Sequence, residues 1–188
     1  MRRHWANAFA LLWGFAEATV FFIVPDVLLS WLALRRLRPA LVACLFALSG
    51  ALVGGIALWF LAQQDAESLR ALFTRLPAID SGMIDDVRSR LETDGLAALL
   101  MGPLIGTPYK IYALEAADMN LGFWAFLSIS VPARFVRFAL VSIVVSWLSR
   151  LLSLKLTLRQ RQVLLVVCWL GFYSWYFLVM SGVPQAVH

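Results

Sequence analysis

The sequence predicts an all-α integral membrane protein, with two opposed re-entrant hairpins and three transmembrane helices arranged as an inverted repeat. Three observations carry that expectation. First, 62% of the 188 residues are hydrophobic and 13% aromatic, and the mean hydropathy is +0.81, which leaves too little polar surface to cover a water-soluble globule. Second, the apolar residues gather into long runs separated by short basic patches. Third, two of those runs are interrupted by proline and glycine and carry charges.

The first run, Trp5 to Leu34, is interrupted by Gly14, Glu17, Pro25 and Asp26. As one helix at about 1.5 Å per residue it would overshoot a hydrocarbon core of about 30 Å, yet it is too short for two crossings. It reads either as one kinked span or as a segment that dips in and returns. Loop charges decide between them. A span would put Arg2 and Arg3 on the opposite side from Arg35, Arg36 and Arg38, whereas a re-entrant segment keeps both groups cytoplasmic. Arg2 and Arg3 before an apolar stretch also resemble the start of a signal peptide, but Glu17 interrupts it and no clean cleavage site follows, so the stretch is expected to stay in the protein.

Ala40 to Ala62 then crosses outward, making residues 5–62 the first hairpin plus span. Residues 63–95 form an external polar segment with seven acids against four arginines. Within it, "AESLRALFTRL" spaces apolar residues as a helix does, for either the membrane surface or a protein contact. Residues 96–148 supply the second hairpin, Leu96 to Ala117, and a span, Leu121 to Leu148. That hairpin contains "MGPLIGTPYKIYAL", broken by Gly102, Pro103, Gly106 and Pro108; a kinked span is the alternative. Arg150, Lys155, Arg159 and Arg161 fall on the cytoplasmic side. Residues 163–180 form the last span and leave the C-terminus external, while the N-terminus is cytoplasmic.

Shifting the chain by 83 positions lays Pro25 on Pro108 and "VPDVLLSWLAL" on "TPYKIYALEAA". Both halves read hairpin, short turn, long span. Because one hairpin enters from each side, the halves are inverted, an arrangement that gathers broken helices around a site near the bilayer midplane.

A charge in the membrane costs at least about 2.5–3.5 kcal/mol, so Glu17, Asp26, Lys110, Glu115, Arg134 and Arg137 require partners or water. Arg134 and Arg137, three apart on a helix, share a face, and with Lys110 they would make a cationic site suited to a phosphate. Glu17 and Asp26 are expected to couple that site to protons. The alternative is structural pairing of acids with bases. Pro25, Gly106 and Pro108 break the hairpins, and Glu115 and Asp118 are expected to reach interfacial water. Trp5, Trp31, Trp59, Trp147 and Trp169 are expected in an interfacial belt.

Other chemistries find little support. Cys44 and Cys168 lie in apolar runs without a CxxC spacing and are expected to be small core residues, not disulfide or zinc ligands. His4 and His188 stand at the termini with no gathered ligands. No Ser/His/Asp set or cofactor motif points to an enzyme, and no nucleic-acid reading motif accompanies the net charge of +5.

The segments "FAEATVFFIVPDVLLSWLAL", "PLIGTPYKIYALEAADMN" and "VPARFVRFALVSIV" resemble the DedA superfamily (SNARE-associated Golgi or VTT-domain proteins), most closely its YqaA-like branch, over Phe9 to Ser149. Glu17 stands where the family has its first acidic residue. Pro25 and Asp26 match its "PxD", while Pro108, Tyr109 and Lys110 match its "PYK", which adds Tyr109 to the binding residues. Arg134 and Phe135 match the arginine-aromatic step that follows. Where the family carries two arginines around the second proline, Ile105 and Ile111 stand here, so Lys110 is the only cation of that motif. The resemblance implies opposed re-entrant hairpins, a bacterial inner-membrane location, and translocation of a phosphate-bearing lipid, either polyprenyl phosphate or phospholipid. A non-transporting membrane scaffold and a transporter of a small anionic solute are the alternatives, and a homo-oligomer is compatible with each.

Overall fold

A computed structural model describes residues 2–21, 23–76 and 79–181. Its elements, in order, are α1 (Arg2–Thr19), α2 (Asp26–Ala33), α3 (Leu37–Phe73), α4 (Ser81–Asp94), a 3-10 turn (Gly95–Ala97), α5 (Ala98–Ile105), α6 (Tyr109–Asp118), α7 (Phe123–Leu152) and α8 (Leu158–Ser181). All secondary structure among the described residues is helical, as the composition predicts. Two helices, α3 and α7, are long and apolar enough to cross a membrane. The expectations for His188 and the C-terminus fall on residues 182–188, outside the described residues.

The breaks sit where the sequence puts its helix breakers. Pro25 is the N-cap of α2 and Pro108 the N-cap of α6, the positions next to a helix start where a missing N–H and a fixed φ do least harm. Gly106 ends α5 at φ +92°, a left-handed conformation that disfavours any side chain. In α3, Pro39 lies in the first turn, and Asp65 leaves helical geometry at φ −155° and ψ 84°. The Asp65 carboxylate then accepts the Ser68 N–H at 2.9 Å and caps the segment beyond the kink. Pro132 is carried inside α7 without ending it.

Packing joins the two halves. Helix α1 lies on α3 and α5 on α7, while α2 and α6 each lie against both α3 and α7, which also touch each other. Exchanging the halves maps these neighbours onto one another. The α1–α3 contact is backbone-close: a Cβ at Gly14 would overlap the Ala47 carbonyl, and one at Gly50 would overlap that of Leu11. Outward, α3 and α7 leave Leu45, Val53, Phe60, Val136, Leu140 and Trp147 exposed.

The segment 63–95 takes the protein contact left open by its pattern. Phe73 of α3 and Ile84, Val87 and Leu91 of α4 are buried in one cluster with α6 residues, including Ile111 and Leu114. Three expectations are corrected here. Glu115 does not reach interfacial water: it is 0% exposed, because α4 and the end of α3 cover α6. Trp59 is no interfacial residue, being 1% exposed with its ring 4.9 Å from Phe126 and 5.9 Å from Phe123. Cys168 is exposed on α8, and only Cys44 is the small core residue expected of both.

Candidate functional site

The turn after α1 and the turn between α5 and α6 meet at one cavity of about 380 Å³, closed on a third side by α8. Glu17, Phe21 and Val24 line it from the first break, and Gly106, Thr107, Pro108 and Lys110 from the second. Arg137 faces it from α7. The remaining wall is apolar and aromatic, from Val145 of α7 and from Leu165, Trp169, Phe172 and Tyr176 of α8.

Behind this wall the acids of the first half meet the arginines of the second. Arg134 donates from both terminal nitrogens to the two carboxylate oxygens of Glu17. Its guanidinium also lies 4.7 Å from the Tyr109 ring centre and 5.0 Å from that of Phe138, so two aromatic rings add cation–π contacts to the carboxylate pair. One turn on, Arg137 donates to Asp26 Oδ2 from Nε at 3.1 Å and pairs with it through Nη2 at 3.0 Å. The other Asp26 oxygen, Oδ1, is buried without a hydrogen-bond partner among the described residues. Tyr109 donates to Ser130 Oγ at 3.0 Å and lies behind the cavity wall.

Lys110 differs from the arginines. It is 4% exposed, and its ammonium donates to the Phe21 carbonyl at 2.9 Å. Among the described residues it has no carboxylate within ion-pair distance. It sits in the first turn of α6, whose N-cap residue, Pro108, supplies no side-chain cap. The structure therefore brings Glu17, Lys110, Arg137, Gly106 and Pro108 to the cavity and sets Asp26, Tyr109, Arg134 and Pro25 immediately around it. The acids at positions 17 and 26 and the arginines at 134 and 137, far apart in sequence, become ion pairs across the fold.

Helix α8 is attached by polar contacts near the cavity. Trp169 Nε1 donates to Ser30 Oγ at 3.0 Å, the Val24 N–H donates to the Tyr173 hydroxyl at 3.1 Å, and Arg161 donates to the Ser149 carbonyl at 2.8 Å. Val24 and Ser30 lie in the segment around Pro25 and Asp26, but no spacing in the sequence ties them to partners on α8.

A second charged cluster lies at the far end of α6, where the sequence marks Glu115 as needing a partner but not which one. Arg70 donates to Glu115 from Nε at 2.7 Å and from Nη2 at 2.9 Å, and Arg88 donates to it at 3.2 Å. Both arginines also bind Asp118, at 2.5 and 2.9 Å. Partial burial pushes the Asp118 carboxyl up, but hydrogen bonds from Arg70 and Arg88 outweigh it and hold the group below its ordinary value. Among the described residues no group of three or more metal-ligating side chains is gathered.

No protein-family model and no solved structure matches the chain. A protein of Haemophilus influenzae, described as an uncharacterized protein, is 25% identical over 148 residues, covering 75% of this chain and 74% of the relative.

Proposed function

We propose that the chain is a bacterial inner-membrane lipid translocase, related to the YqaA-like branch of the DedA superfamily, that moves a phosphate-bearing lipid. The observation that carries this reading is Lys110: a buried cation with no carboxylate partner among the described residues, at a cavity where both helix breaks meet. A lining that combines polar groups with apolar and aromatic side chains suits a molecule with a charged head and an apolar body. In this reading the breaks at Pro25 and Gly106–Pro108 are re-entrant turns, α3, α7 and α8 span the bilayer, and N- and C-termini lie on the cytoplasmic and external sides. The exposed apolar surface of α3 and α7 supports immersion in lipid, and the exchange of neighbours between halves supports an inverted repeat.

Proton coupling in this scheme runs through the ion pairs. A proton taken up by Glu17 or Asp26 would release Arg134 or Arg137 from its partner and add a positive charge beside the headgroup. The test is translocation of labelled phospholipid and polyprenyl phosphate in proteoliposomes across a set pH gradient, comparing wild type with Lys110→Met and Glu17→Gln. Loss of movement in folded Lys110→Met protein is expected. Unchanged movement would remove Lys110 from the binding site, and no movement by folded wild type would favour the scaffold or small-anion alternatives.

A further inference from the structure

The charges around the cavity can be counted, and the count restricts the ligand. Glu17 is matched by Arg134 and Asp26 by Arg137, each pair in direct contact. The ionisable groups that α8 adds to the wall, Cys168, Tyr173 and Tyr176, belong to types that are neutral near pH 7, as is Tyr109 behind it. Glu115, at the other end of α6, is enclosed by Arg70 and Arg88. Among the described residues, Lys110 therefore supplies the single unbalanced charge at the cavity.

Donor geometry agrees with the charge count. An ammonium carries three N–H donors, and Lys110 commits one to the Phe21 carbonyl. Two are left for a ligand, matching the two non-bridging oxygens of a phosphodiester. A phosphomonoester brings a third free oxygen and, above its second pKa of about 6, a second negative charge. The lining is largely apolar, and while Glu17 and Asp26 hold their arginines that extra charge has no counter-ion there, so a proton must neutralise it for the monoester to bind.

Building on the lipid-phosphate reading above, we propose that the Lys110 cavity selects a monoanionic phosphodiester headgroup and admits a phosphomonoester only in its singly protonated form.

The test measures binding to the full-length wild-type protein in detergent, followed by the fluorescence of its tryptophans, one of which, Trp169, lines the cavity. The ligands are phosphatidylglycerol and phosphatidic acid with identical acyl chains, at about pH 5.5 and about pH 8, on either side of the monoester's second ionisation. The diester reports any titration of the protein itself, so the ratio of the two affinities isolates the ligand. The expected result is that phosphatidic acid loses at least about tenfold in affinity relative to phosphatidylglycerol between the two pH values. A constant ratio, or one that moves towards phosphatidic acid at the higher pH, overturns the proposal and leaves the lipid-phosphate reading standing. Glycerophosphoglycerol and glycerol 3-phosphate, the same headgroups without acyl chains, separate the sources of the phosphate. If they bind as tightly as the lipids with the same pH ratio, the charge rule holds and the lipid reading fails. If no phosphate compound binds, both fail.

Discussion

Arg134 on α7 and Glu17 on α1 are joined by two parallel hydrogen bonds across 117 positions of chain, with Arg134 1% exposed. Truncating either partner leaves the other charged and enclosed. Glu17→Ala or Arg134→Met alone is therefore expected to destabilise the fold by about 3–5 kcal/mol, while the double substitution costs much less than the sum. Thermal unfolding of the four proteins in one detergent gives the coupling energy; additive losses would show that the pair does not act as a unit.

The Glu115 cluster should be unequal in its two arginines. Arg70 makes two hydrogen bonds to Glu115 and is the more enclosed, whereas Arg88 makes one and is more open to solvent. Arg70→Ala is expected to cost about 2–4 kcal/mol and Arg88→Ala about 1 kcal/mol or less. Limited proteolysis between α3 and α4 should accelerate in the first variant far more than in the second.

Asp118 gives this cluster a pH dependence. Its carboxyl titrates below its ordinary value in the folded protein, so its stabilisation is complete above the unfolded pKa of about 3.9 and vanishes as pH falls through the lower folded one. Asp118→Asn should lower the melting temperature at neutral pH and converge with wild type as pH falls through the lowered folded value. A difference that persists unchanged into acid would show that the carboxylate charge is not what the arginines hold.

Two glycines should fail for different reasons. At Gly50 a side chain would collide with the Leu11 backbone, so Gly50→Val is expected to separate α1 from α3 and cost about 3 kcal/mol or more. At Gly106 a Cβ would meet open space, but φ is +92°, so Gly106→Ala should cost only about 1–2 kcal/mol. Melting temperatures of the two variants rank them directly.

The two cysteines provide a check on the placement of α8. Cys168 is exposed and borders the cavity, while Cys44 is buried and hydrogen-bonded to Ser142 at 3.3 Å. A maleimide should modify the first and leave the second untouched until the protein unfolds. Equal labelling of both would contradict the packing of α3 against α7.

Composition made the helical architecture legible, and Pro25, Gly106 and Pro108 marked the two breaks because helix breakers act locally. The charged residues were legible one by one as costly in an apolar setting. Their pairing was not: Glu17 with Arg134 and Glu115 with Arg70 are 117 and 45 positions apart, and no short spacing encodes such meetings. Trp59 shows the same limit, since a tryptophan near the end of an apolar run fits an interface equally well until Phe123 and Phe126 are seen to cover it.

The division of acids and arginines between the two halves also sets a schedule for biosynthesis. Glu17 and Asp26 leave the ribosome 117 and 111 residues ahead of Arg134 and Arg137. At about 5–20 residues per second, that interval lasts roughly 5–25 seconds. During it, α1 and α2 have neither the counter-ions of Glu17 and Asp26 nor α7, one of the two helices on which α2 rests. The nascent acids must stay hydrated, neutral or otherwise sheltered until the second half arrives. A chain truncated after α3 would be stranded in that condition, with both acids left unpaired.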